Sequence, residues 1–212
     1  MEWNPIKWPI SCLAGVLIIV FFFIFIPIAV LLFPSFNINL GPIDYWVMGP
    51  YSIVDNYLSD LGNYIFNPQG ANFFNYGLII IGITMIPFFL GISQFWEENP
   101  HPKILKVTRI LGFAAAFALI MIGTFSENAP EPLHELWSMI FFSLICILMG
   151  LASYALLDDD NFMKITSIYG FGAIIFNVFF MATGSPFLEW VTVFSALGFV
   201  ALLGYDVFKM ES

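Results

Sequence analysis

Long, continuous apolar runs separated by short polar stretches dominate this chain of 212 residues. Each run is close to the roughly 20 residues that an α-helix needs to cross the hydrocarbon core of a membrane. Because the runs do not alternate polar and apolar residues, they exclude the strand pattern of an outer-membrane barrel. The pattern predicts an all-α, polytopic membrane protein that forms a single transmembrane domain over residues 1–212. Its bundle would contain six transmembrane helices, at about residues 10–33, 72–96, 107–125, 136–157, 165–184 and 186–208.

The composition supports the membrane class and excludes several functions. Hydrophobic residues make up 60% of the chain and charged residues only 10%, whereas soluble domains carry about 25% charged residues. A net charge of −9 argues against binding to nucleic acid or docking on an anionic lipid surface. Within the spans the polar residues are few, mainly Asn177 and Asp206, and this argues against a pump that moves charge.

The basic residues predict the orientation in the membrane. With six spans every Lys and Arg falls on one side, and the positive-inside rule makes that side the cytoplasm, with both termini there. We therefore expect a multi-pass protein of the cell membrane. The basic residues are Lys7, Lys103, Lys106, Arg109, Lys164 and Lys209. The opposite, outer face has no Lys or Arg, and its ionisable groups include Asp44, Asp55, Asp60, Glu127, Glu131, Glu135, Glu189 and His134.

The loop between the first and second spans contains a possible surface helix. Pro50–Leu61 opens with proline, which suits the first turn of a helix, and stops before a glycine. On such a helix Asp55 and Ser59 share one face, and Asn56 and Asp60 share the next. One interpretation makes these residues part of a site; the alternative is a capped, amphipathic surface helix without a chemical role.

The strongest candidate for chemistry is the stretch Thr124–Trp137 (TFSENAPEPLHELW), which connects the third and fourth spans. Glu131, His134 and Glu135 have the spacing i, i+3 and i+4 and therefore share one helix face, which Ser138 continues one turn deeper. One imidazole with carboxylates suits zinc or a harder divalent ion, and it also suits acid–base catalysis on a lipid head group. The alternative is that these residues are polar because they lie in water at the membrane boundary.

These residues lead to the hypothesis of an outward-facing acidic pocket that recognises or processes a lipid or lipid-linked head group. Seven outer acids without a Lys or Arg cannot neutralise each other by ion pairing, so converging acids would have raised pKa values, bind a cation or stay solvated. In an enzyme His134 would be the base or a metal ligand, and Ser59 would orient the substrate. Glu127, Glu131 and Asp60 would be ligands or acid–base partners. The pocket walls would include Asp55, Asn72, Asn75 and Glu189.

A second hypothesis is a non-catalytic transporter, scaffold or accessory subunit. Its outer acids would bind a cation or face a partner, either another membrane protein or a second copy of the chain. Membrane lipids are expected partners under both hypotheses. The cofactor is left open, with a divalent metal ion as the candidate.

Short motifs in two regions resemble a known family. Tyr57–Gly62 (YLSDLG) is followed by Asn75–Leu78 (NYGL), and Gly123–Glu127 (GTFSE) is followed by Leu133 and His134. They resemble the uncharacterised prokaryotic six-span membrane proteins of domain of unknown function 998, over roughly residues 10–205. That family is distantly similar to eukaryotic DRAM/Sfk-type membrane proteins, some of which act in lipid-anchor remodelling. The similarity implies a function that involves lipids. Alkaline ceramidase-type hydrolases also use outer Ser, Asp and His around zinc, but this chain lacks their three histidines.

Overall fold

The computed structural model describes residues 9–34, 50–92, 99–130 and 132–211, and these ranges contain six α-helices, one 3₁₀ helix and no strand. All six α-helices are long and apolar enough to cross a membrane. The predicted all-α fold with six membrane-spanning helices is therefore confirmed. The helices are α1 Ile10–Leu31, α2 Ala71–Ile92, α3 Pro102–Thr124, α4 Leu133–Leu157, α5 Lys164–Thr183 and α6 Pro186–Glu211.

Two helices begin earlier than the hydrophobic pattern predicts. Helix α3 begins at Pro102 rather than Val107, because proline fits the first helical turn, where its missing N–H has no helical partner. Helix α4 begins at Leu133 rather than Leu136, so His134 and Glu135 belong to its first turn. The predicted end of the second span at residue 96 lies outside the described residues.

The surface helix predicted over Pro50–Leu61 is reduced to the 3₁₀ helix Ser59–Gly62, and turns precede it. The Ser52 hydroxyl accepts hydrogen bonds from the backbone N–H groups of Val54 and Asp55, each at 3.3 Å. Asn56 Oδ1 accepts the Ser52 backbone N–H at 3.1 Å. These side chains offer the backbone local hydrogen bonds that compete with a regular helix, so the loop turns instead.

Each helix packs against the next one along the chain, and α6 returns to pack against α1. Close approach between helices depends on glycine, as is common in membrane bundles. A methyl group at Gly91 of α2 would lie 2.6 Å from the Ser11 backbone nitrogen of α1. A methyl group at Gly77 would lie 2.6 Å from Phe25 Cβ. The bundle is thus a closed ring of antiparallel neighbours.

At one end of the bundle the loops before α2, α4 and α6 meet. Tyr64 N–H donates to Asn128 Oδ1 at 2.9 Å, and the Tyr57 hydroxyl donates to the Gly184 carbonyl. Trp190 Nε1–H of α6 donates to the Tyr51 hydroxyl at 2.9 Å. We call this the acidic end, and it comprises residues 50–70, 125–130, 132–135 and 184–189.

The opposite end, comprising residues 99–109, 157–164 and 205–210, carries charges of both signs, and we call it the mixed-charge end. His101 Nε2 lies 3.0 Å from Asp158 Oδ2. Asn99 Nδ2–H donates to Asp159 Oδ2 at 2.7 Å and to the Ala155 carbonyl at 3.2 Å. The α2–α3 loop is thereby joined to the α4–α5 loop. Described Lys and Arg side chains lie at this end: Lys103, Lys106, Arg109, Lys164 and Lys209.

Candidate functional site

A narrow cavity of about 130 Å³ lies between α1, α2, α3, α4 and α6. Most of its lining is Phe, Leu, Ile, Met and Val, and along α4 it extends from His134 to Met149. At 1.5 Å per residue this is about 22 Å of helix length. The cavity is therefore long and apolar, with its polar lining towards the acidic end. The polar side chains that line it are Ser59, His134, Ser138 and Glu189.

His134, in the first turn of α4, lines this cavity and contributes a hydrogen-bond acceptor to the region. Its side chain is only 4% exposed, and Nδ1 lies 2.8 Å from the Phe125 carbonyl oxygen. Because a carbonyl can only accept, Nδ1 carries a proton, and Nε2 of the neutral ring is left as an acceptor. Nε2 is buried and has no hydrogen-bond partner among the described residues. A buried polar atom of this kind needs a water molecule or a ligand as its partner.

Asp60, which is buried, and Glu127, which is partly buried, form a carboxyl pair beside the cavity. Asp60 is 8% exposed, and its Oδ2 accepts Tyr57 N–H at 2.9 Å and Asn56 Nδ2–H at 3.3 Å. Burial first, and then the nearby Glu127 charge, raise the pKa of Asp60 to about 7, against the opposing effect of the two hydrogen bonds. The pair therefore retains a proton in a large fraction of molecules at neutral pH.

Glu127, in the α3–α4 loop, is held by two side chains of the α1–α2 loop. Its Oε2 accepts Asn63 Nδ2–H at 3.1 Å, and its Oε1 accepts the Ser59 hydroxyl at 3.4 Å. Burial raises the pKa of Glu127, and hydrogen bonds from Asn63, Asp60 and Ser59 offset part of that rise. The hydrogen bonds fix the carboxyl in place but supply no opposite charge.

Glu189 brings a third carboxyl to the same region from the first turn of α6. It is 7% exposed, and its Oε2 accepts the Leu58 backbone N–H at 2.6 Å, just before the 3₁₀ helix. Because Glu189 also lines the cavity, it connects the acidic loop to the cavity wall.

The other residues predicted as pocket walls lie outside the cavity. Asp55 is exposed and accepts the Ser52 hydroxyl at 2.8 Å. Asn72 is exposed and accepts the Tyr64 hydroxyl at 2.8 Å. Asn75 is buried, but its Nδ2–H donates to the Gly62 carbonyl at 3.0 Å and so supports the 3₁₀ helix from below.

The predicted metal site of His134, Glu131 and Glu135 is only partly described. Glu131 lies outside the described residues, as does Asp44 of the outer acids, and Glu135 is exposed. In the ranges that the structure covers, no three His, Cys, Asp or Glu side chains are grouped so that they could hold a metal ion. The metal site therefore stays a prediction.

Asn67 was not among the predicted site residues, although it holds the acidic loop against the bundle. Its side chain is fully buried, and Nδ2–H donates to the Ala29 and Leu61 carbonyls, each at 3.0 Å. Its Oδ1 accepts Gly70 N–H at 3.0 Å. The sequence Asn67–Gly70 (NPQG) is typical of a turn, and the pattern alone does not show that the turn residue is buried.

The family model described as "Protein of unknown function (DUF998)" matches residues 27–206. This range contains every site residue described above. The searches of curated proteins and of solved structures gave no match.

Proposed function

We propose that this membrane protein, which belongs to the DUF998 family of unknown function, recognises a lipid by enclosing its apolar chain in the bundle cavity. The polar group of the lipid would lie at the acidic end, against His134, Glu189 and Ser138. The observation that carries this proposal is the buried, unpartnered Nε2 of His134 at the polar end of a long apolar cavity.

The shape of the cavity favours a single chain over a bulky ligand. Its lining covers about 22 Å of α4, compared with a hydrocarbon core of about 30 Å. Its volume of about 130 Å³ is slightly below that of an engineered cavity of roughly 150 Å³ that binds benzene. A space of this volume can hold only a segment of a single alkyl chain. Apolar walls with a few convergent polar groups are also typical of small-molecule sites.

The same residues have the chemistry needed to process a head group. Nε2 of neutral His134 is a base, and the Asp60–Glu127 pair can donate a proton near neutral pH. The Ser59 hydroxyl, which donates to Glu127, lies between the pair and the cavity wall. Lipid recognition is the proposed function, and turnover of a bound lipid would extend it to catalysis.

We place the acidic end outside the cell and both termini in the cytoplasm. Described Lys and Arg side chains lie at the mixed-charge end, which the positive-inside rule assigns to the cytoplasm. The distant similarity to DRAM/Sfk-type proteins expected from the sequence motifs would agree with a lipid ligand.

The test measures co-purified lipid, and labelling by a photoreactive dodecyl probe, in a non-ionic detergent. His134→Asn keeps an N–H for the Phe125 carbonyl but removes the Nε2 acceptor, and we expect it to reduce binding about tenfold, the cost of one strong hydrogen bond. Ala196→Leu adds bulk to the cavity lining and should abolish binding. The matched controls are His101→Asn at the mixed-charge end and Ala201→Leu on the exposed face of α6, and both should bind like the wild type.

Two results would overturn the proposal. One is a wild-type protein that neither carries a lipid nor reacts with the probe. The other is unchanged labelling in both His134→Asn and Ala196→Leu. A protein without lipid but with a stoichiometric protein partner would favour the scaffold or accessory-subunit hypothesis instead.

A further inference from the structure

We propose that the ligand of this cavity is a single-chain amphiphile with a cationic head group, a protonated amine. This inference rests on the proposed lipid recognition and specifies the head group. It follows from the charges around the polar end of the cavity and from the hydrogen-bonding capacity of the groups that line it.

Three carboxyl groups converge at the acidic end, and no described Lys or Arg side chain forms an ion pair with them. Asp60 and Glu189 are each less than a tenth exposed, and Glu127 lies beside Asp60. The sequence has no Lys or Arg between residues 8 and 102 or between residues 110 and 163, so the loops around these acids carry none. Buried charges in proteins are normally paired, because desolvating an isolated charge is costly. Without a Lys or Arg beside them, these carboxyl groups either hold protons or need a positive charge that a ligand brings.

Helix dipoles do not replace that positive charge. Each helix terminus carries roughly half an elementary charge, positive at the N-terminus and negative at the C-terminus. The acidic end contains the N-termini of α2, α4 and α6 together with the C-termini of α1, α3 and α5. The α6 N-terminus lies next to Glu189 and contributes only about half a charge there, whereas the three carboxyl groups all carry a full negative charge when they are ionised.

The hydrogen-bonding groups at the polar end of the cavity also favour a cationic head group, independently of the net charge. The buried Nε2 of His134 accepts and has no partner among the described residues. Glu189 lines the cavity as a carboxyl group, and the hydroxyl of Ser59 is already donated to Glu127. An ammonium group has three N–H donors and no acceptor, so it complements this set. A phosphate or carboxylate head group would find a donor only in the Ser138 hydroxyl, and it would face the His134 Nε2 acceptor and the Glu189 carboxyl group.

The experiment compares three probes that share one chain: dodecylamine, dodecanol and dodecyl phosphate. Each competes with the photoreactive dodecyl probe for the full-length protein in a non-ionic detergent at neutral pH. Labelling that persists in Ala196→Leu gives the background from micelles. We expect the amine to bind about tenfold more tightly than the alcohol, as for one charge-assisted hydrogen bond, and the phosphate to bind most weakly.

The variant Glu189→Gln isolates the charge. Its amide oxygen can still accept the Leu58 N–H, so the contact between α6 and the loop is kept. We expect this variant to lose about tenfold in affinity for dodecylamine while its affinity for dodecanol stays within about twofold. The control Asp55→Asn removes an exposed carboxyl from the same loop and should keep the wild-type preference.

The outcomes separate this inference from the proposed function. If no probe shows binding that Ala196→Leu removes, lipid recognition itself fails. If such binding exists but the alcohol or the phosphate equals or exceeds the amine, the cationic head group is overturned and lipid recognition stands. An amine preference that survives Glu189→Gln would also overturn it.

Discussion

At the mixed-charge end His101 lies 3.0 Å from Asp158, and Lys164 lies 3.5 Å from Asp160. At the acidic end, by contrast, the carboxyl groups accept hydrogen bonds from neutral donors. Asn63 and the Tyr57 backbone are examples of those donors. Both ends join loops that are distant in sequence. They differ in that Lys164 lies beside an acid at the mixed-charge end, whereas no described Lys or Arg lies at the acidic end.

Hydrogen bonding and charge compensation are therefore separate requirements. Neutral donors satisfy the geometry of Asp60 and Glu127, but burial still raises the pKa of both groups. An end of the molecule that holds protons at neutral pH and borders a cavity has the features of a functional site rather than of a structural contact. The mixed-charge end has the features of a structural contact.

The largest effect should come from detaching the acidic loop. Asn67→Ala would leave two buried carbonyls and one buried N–H without their partner, at about 1–3 kcal/mol each. We expect the free energy of unfolding in detergent to fall by about 3–9 kcal/mol. The matched control Asn72→Ala removes an exposed side chain with a bond to Tyr64 and should cost about 0.5 kcal/mol or less. Similar losses in the two variants would contradict the role of Asn67.

The second effect is a pH dependence that belongs to the acidic end. The pKa of Asp60 rises from about 3.9 in an unfolded chain to about 7 in the folded protein. Between these values the folded state binds more protons than the unfolded state, so stability should fall as pH rises from about 4 to about 7 and then level off. Each pH unit in that window costs up to about 1.4 kcal/mol.

Thermal unfolding measured across this pH window tests the prediction. Asp60→Asn should reduce the slope, because the variant has no carboxyl to bind the extra proton. Asp55→Asn, which removes an exposed carboxyl of the same loop, should keep the wild-type profile. A wild-type protein that becomes more stable with rising pH in this window would show that the sign is wrong.

The smallest effect is expected at the mixed-charge end. The side chains of His101 and Asp158 are 27% and 59% exposed, so solvent screens their contact. We expect His101→Asn and Asp158→Asn each to cost less than about 1 kcal/mol, with a coupling energy of about 0.2–1 kcal/mol in a double-mutant cycle. Lipid labelling should be unchanged in both. A coupling above this range, or a loss of labelling, would remove the distinction between the two ends.

The membrane fold follows from the amino-acid sequence alone. Continuous apolar runs of about 20 residues are a local property, and a proline or glycine at the edge of such a run indicates a helix end, although Pro27 and Pro87 lie inside α1 and α2. Gly184, with φ of 60°, follows the last turn of α5, and Pro186 opens α6, both as the sequence predicts. The positions of Lys and Arg along the chain also predict that one set of loops is purely acidic.

Which acids meet, and what they border, depends on the tertiary packing. Asp55 and Asp60 lie five residues apart in one acidic loop, yet Asp55 is exposed and Asp60 is buried against Glu127 from another loop. Hydrogen bonds to the side chains of Ser52 and Asn56 form turns where a helix was expected, and these turns leave Asp55 exposed and Asp60 buried. The hydropathy pattern could not predict the cavity either, because an apolar residue facing a cavity and one facing lipid have the same hydropathy. Packing across five helices distinguishes them, and that is a property of the fold rather than of any segment.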